Sequence, residues 1–121
     1  MDPKNDKKEP KKNGEEYLVD AEAILVGAGM TSDEAHNFVY SIKDDDHYDF
    51  KRKSVWDPLR LGKYAEGAKK FVEYNDKYGN KSNPGWKKAK DVDYGTLGLA
   101  LSEIREYKIE YNKEYERYKK R

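Results

Sequence analysis

The densest grouping of side chains able to do chemistry lies mid-chain, at Asp44-Asp45-Asp46-His47-Tyr48-Asp49-Phe50-Lys51. Carboxylates beside an imidazole could supply an acid–base pair or hold a hard cation. In an extended segment alternate residues share a face. Asp49 and Lys51 would then form a carboxylate–ammonium pair that orients a substrate or tunes an acid, with Tyr48 and Phe50 on the other face. His47 is the better of the two histidines for acid–base work because of these neighbours; His36 reads as a helix-flank residue. The plainer alternative is a solvated loop after a helix, and a surface ion pair contributes little. The spacing excludes an EF-hand, which needs a glycine at the sixth loop position.

A second grouping is Asp93-Tyr94-Gly95-Thr96-Leu97-Gly98. Two glycines three apart at a helix start bare the backbone to a neighbouring helix or to a ligand. The first-turn amides there favour an anion. The motif is not a P-loop, because no Gly-Lys-Ser/Thr follows. Lys69-Lys70, Lys87-Lys88, Lys90 and Lys119-Lys120-Arg121, interleaved with Trp86 and tyrosines, are spots that could touch RNA. Nearby acids favour a solvated face instead.

The elements that must position these groups are helical. Met1 to Gly14 has a single apolar residue and reads as a disordered tail or linker. Residues 15–121 read as one domain of about four helices, mainly α. The first helix, Glu15 to Ala28, carries Tyr17, Leu18, Ala21, Leu25 and Ala28 on one stripe with Ile24 beside it. Thr31-Ser32-Asp33-Glu34 has the form of a capping box. The helix after it should bury Ala35, Phe38, Val39 and Ile42 and end near Lys43. Asp44 to Ser54 reads as an exposed loop leading into an extended segment. Asp57-Pro58 reads as a helix start running to about Lys77, with Leu61, Tyr64, Ala65, Ala68, Phe71 and Val72 inside.

Trp86 to Lys90 suits a short helical turn, and Asp93 can cap a long last helix. There Leu97, Ala100, Leu101, Ile104, Tyr107, Lys108, Tyr111, Tyr115 and Tyr118 keep helical spacing. Beyond Ile104 the aromatic members are all tyrosine, and rings with an apolar body and a polar tip suit a wet interface. Tyr107, Tyr111, Tyr115 and Tyr118 are therefore candidate partner contacts.

Composition sets outer limits. The chain has 121 residues, enough for one domain with a modest core. Charged residues make up 40 % and apolar ones 36 %, yet the formal net charge is only +1. That balance weighs against nucleic acid as the main partner. The absence of cysteine excludes disulfides and thiolate chemistry. No run reaches the roughly 20 apolar residues of a membrane span, and no secretory signal opens the chain. A cytoplasmic location, or delivery by a larger carrier, is the expectation, with no cofactor and no metal site.

Phe38-Val39-Tyr40-Ser41-Ile42-Lys43, the three aspartates, and His47-Tyr48-Asp49-Phe50-Lys51 together resemble a signature of the bacterial polymorphic toxin type 44 domain. That signature has an aromatic, a Val-Lys pair four residues on, a glycine-rich turn and Trp-Asp-aromatic-Lys. Here Ile42-Lys43 stands for Val-Lys, aspartates replace the glycines and Tyr48 replaces the Trp. The family's later Tyr-Gly-x-x-Gly corresponds to Tyr94-Gly95-Thr96-Leu97-Gly98, followed by Leu99-Ala100-Leu101. The likeness spans about Phe38 to Leu101. It stops where the family continues with a Gly/Ala/Gln-rich helix and an acidic segment, and this chain has a charged, tyrosine-rich helix.

The resemblance implies a bacterial or phage effector domain, usually at the C-terminus of a larger toxin and neutralised by an immunity protein. Its reaction stays open, with hydrolysis among the options. Asp49, Lys51 and His47 would be its catalytic group, and Tyr48, Tyr94, Gly95 and Gly98 its substrate-binding wall. The alternative from a different class is a non-enzymatic structural or accessory protein of a phage particle or other large assembly, docking through the tyrosine-rich last helix.

Overall fold

The fold is known from a computed structural model, which describes residues 14–43, 53–78 and 84–119, with side chains for all of these except 53–55, 78, 84 and 112–119. The described residues are almost wholly helical, without strands. Six helices follow in order: α1 (Gly14–Gly27), α2 (Ser32–Lys43), α3 (Lys53–Arg60), α4 (Tyr64–Tyr78), α5 (Pro84–Ala89) and α6 (Tyr94–Lys119). The long α6 packs most extensively against α1 and α4, while α2 packs on α5 and α1, and α3 on α4. Their inward faces merge into one apolar core.

Helix α1 buries Leu18, Ala21 and Leu25. Tyr17 and Ile24 are half-covered, and Ala28, expected on the buried stripe, is exposed. The turn after α1 folds back so that the Met30 N–H donates to the Leu25 carbonyl at 3.1 Å and Met30 itself enters the core. Helix α2 starts on the expected capping box. The Thr31 N–H donates to Glu34 Oε1 at 2.9 Å, and the Glu34 N–H donates to Thr31 Oγ1 at 3.1 Å. Ala35, Phe38, Val39 and Ile42 are its buried residues, as the i, i+3, i+4, i+7 spacing predicts. Phe38 meets Phe71 edge-on at 5.9 Å and lies parallel to Trp86 at 6.5 Å, which ties α2 to α4 and α5. Burying a ring of this size contributes about 1.5–3 kcal/mol.

The expected third helix is in fact two. Asp57-Pro58 does not start a helix; Pro58 lies inside α3, which begins at Lys53, so residues 53–54 are helical rather than extended. Pro58 is the sixth of the eight α3 residues and, lacking an N–H, costs the helix one intrahelical hydrogen bond. The chain then breaks at Gly62, whose φ of 82° stops the helix. The Gly62 N–H donates to the Leu59 carbonyl at 3.1 Å and the Lys63 N–H to the Pro58 carbonyl at 2.8 Å, the paired bonds of a left-handed helix end. The break re-aims the apolar residues. Ala68, Phe71 and Val72 are buried on α4, Tyr64 is half-covered, and Leu61 is 59 % exposed with Ala65 also outside. Trp56 and Leu59 of α3 take core positions instead. Together with α5, this split gives six helices among the described residues where about four were expected.

Helix α6 starts where Asp93 caps it. The Leu97 N–H donates to the Asp93 carbonyl at 2.9 Å, and the Thr96 N–H to the Asp93 carboxylate at 3.0 Å. Its 26 residues span about 39 Å at the standard helical rise. Among its described side chains, the fully buried apolar ones are Leu97, Ala100, Leu101 and Ile104, all in its first half.

Candidate functional site

The expected site residues fall into three groups. His47, Tyr48, Asp49 and Lys51 lie in the segment 44–52, outside the described residues, as do the N-terminal residues 1–13 expected to be a tail.

The second group opens α6, and its backbone is largely taken up by the fold. Gly98 is buried, and a Cβ there would run into the carbonyl group of Tyr64, the first residue of α4. The small residue thus serves a close helix approach. The expected anion site is filled from within the chain, because the Asp93 carboxylate accepts the Thr96 amide. That hydrogen bond, reinforced by the Thr96 side chain, holds the Asp93 carboxyl below the usual carboxylate range. Asp93 is exposed, Tyr94 is 40 % exposed, and Gly95 and Thr96 are half-covered, so the motif faces solvent at its start.

The third group is the tyrosine stripe. Tyr107 is partly buried against the core, and its ring lies 3.3 Å from where a Cβ on Gly14 would stand. One turn on, Tyr111 is 57 % exposed, its ring 6.1 Å from that of Tyr107. The side chains between Arg105 and Glu110 are half-covered. Tyr115 and Tyr118 continue α6 with side chains outside the described set.

Two neighbouring contacts fix this half of α6 to α2. Lys108 Nζ donates to the carbonyl of Lys43 at 3.4 Å, placing a cation at the negative end of α2. The Lys43 ammonium lies 5.2 Å from the Tyr40 ring centroid and 5.9 Å from that of Tyr107. The C-terminal end of α2 at Lys43 thus lies beside Tyr107 and Lys108, about three and a half turns along α6 from Gly95.

A polar seam joins α1 and α2, and His36, read from the sequence as a helix-flank residue, belongs to it. His36 Nδ1 lies 3.3 Å from Glu22 Oε2, and its ring stacks on Tyr40 with centroids 4.2 Å apart. The Tyr40 hydroxyl donates to Glu15 Oε1 at 3.3 Å. Desolvation, then the Glu15 charge and hydrogen bond, raise the Tyr40 phenol above its ordinary value. The phenol is thus held protonated and aimed at a carboxylate, which suits a clasp between helices better than a nucleophile. The signal is present in the spacing: Glu15 and Glu22 lie seven apart on one helix, and His36 and Tyr40 four apart on the next, both pairs sharing a face. Trp86 is the reverse case. Offered as a surface for RNA bases, it is 3 % exposed and belongs to the core, while Lys87, Lys88 and Lys90 around it are exposed.

Among the described residues no cluster of three or more histidines or acids could hold a metal, and no helix is long and apolar enough to cross a membrane. Compared with known protein families, characterised proteins and solved structures, the chain matches none of them.

Proposed function

We propose that this chain is a small helical interaction module that docks on a larger assembly through the tyrosine-bearing second half of α6. The observation that carries this reading is the change along α6. Among the side chains described, its fully buried stripe ends at Ile104, yet the helix runs on to Lys119, with Tyr111 57 % exposed one turn beyond the seated Tyr107. A helical extension without its own core packing is marginal in water. Tyrosine suits a surface that is wet when free and covered when bound, because the ring contributes apolar area and the hydroxyl keeps a polar partner. Amide hydrogen exchange on the isolated monomer tests this. Amides beyond Tyr111 should exchange much faster than those of Leu97 to Ile104. Equal protection along the whole helix would mean that the chain's own core already holds it, and docking would lose its basis.

The second reading is a toxin-like effector of bacterial or phage origin, carried by a larger product and neutralised by an immunity protein. What favours it is the exposure of Tyr94 and the partial exposure of Gly95, at the solvent-facing start of the second motif. Asp49, Lys51 and His47 would supply its chemistry. The packing roles of Phe38, Val39, Ile42 and Gly98 explain much of the shared pattern without catalysis, which is why this reading stands second. Expression without an immunity protein tests it directly. Growth arrest by the wild type and relief by Asp49→Ala support an effector; equal growth of the two removes it.

A further inference from the structure

We draw no further inference here: the strongest candidate, the exposed apolar strip of Val19, Ala23 and Val26 on the outer face of α1, carries none, because its bordering acids Glu15, Glu16, Asp20 and Glu22 already have partners within the chain and nothing in the structure shows what covers it.

Discussion

Gly98 and the carbonyl group of Tyr64 occupy the space of a single side chain. A Cβ at position 98 would overlap the backbone of the first residue of α4, and it would also stand 2.7 Å from the Tyr64 Cβ. Since α6 packs chiefly on α1 and α4, this contact sets how closely α4 approaches the central helix.

Replacing Gly98 by alanine should therefore destabilise the fold, although alanine favours a helix by about 1 kcal/mol over glycine. The obstacle is backbone and cannot rotate aside, so overpacking of about 1–3 kcal/mol should outweigh that gain. Urea unfolding of Gly98→Ala against wild type measures the difference. A Gly98→Ala variant as stable as wild type would mean that α4 sits farther from α6 than described.

The capping box of α2 gives a second expectation. Thr31→Ala should cost about 1 kcal/mol, because it leaves the Glu34 amide without its hydroxyl acceptor. Glu34→Ala should cost less, because alanine inside the first turn is the better helix former and offsets part of the lost bond. The double variant should lose less than the two single effects combined, and thermal unfolding of all three supplies the comparison.

Asp93 makes stability depend on pH. Its folded-state carboxyl is held below the ordinary value by the Thr96 amide. The folded state then binds protons less readily than the unfolded chain. The contribution is complete above the ordinary aspartate range and fades as pH falls through the lower folded value. The variant Asp93→Asn keeps a side-chain oxygen that caps the helix but loses the group that titrates. The stability gap between wild type and Asp93→Asn should narrow on acidification; a gap constant down to about pH 3, below the ordinary aspartate value, would contradict the assigned hydrogen bond.

Tyr40 should respond to Glu15 in the alkaline limb. Burial and Glu15 both raise its phenol, so the folded state keeps its proton at a pH where the unfolded chain has begun to lose it. This stabilisation is present below the ordinary tyrosine value and is lost as pH rises through the folded one. Glu15→Gln should move Tyr40 part of the way back toward its ordinary value, leaving the part due to burial. The chain has 11 tyrosines, so NMR of ring-labelled protein is needed to follow this one. An unmoved titration would place Glu15 away from the ring.

Structure is legible in the sequence wherever the chemistry is local. Thr31 and Glu34, three residues apart, define a cap by themselves, and Ala35, Phe38, Val39 and Ile42 show the helical period without help from the rest of the chain. Pro58 misleads because proline at the first helical position is a strong start signal, whereas here the helix begins at Lys53 and Gly62 ends it. Trp56 and Trp86 show the limit of reading flanks: both sit among charged residues in sequence, yet both are buried, Trp86 against Phe38 of α2 and Phe71 of α4. The role of Gly98 is open in the sequence for the same reason, since only the fold reveals that Tyr64 fills the space. The helical spacing of Tyr107 and Tyr111 is legible, whereas the seating of Tyr107 on the chain's own core is not. The clasp of Glu15, Glu22, His36 and Tyr40 needs the antiparallel register of α1 and α2, which no single stretch specifies.

The docking role of α6 is best tested by a photo-cross-linking amino acid placed at Tyr111 and, as a control, at Leu61, which is 59 % exposed on a different element. In the native cell, Tyr111 should yield one discrete cross-linked product, identified by mass spectrometry as a single partner, and Leu61 should not. No product at Tyr111, or the same products at both positions, would contradict docking through the second half of α6.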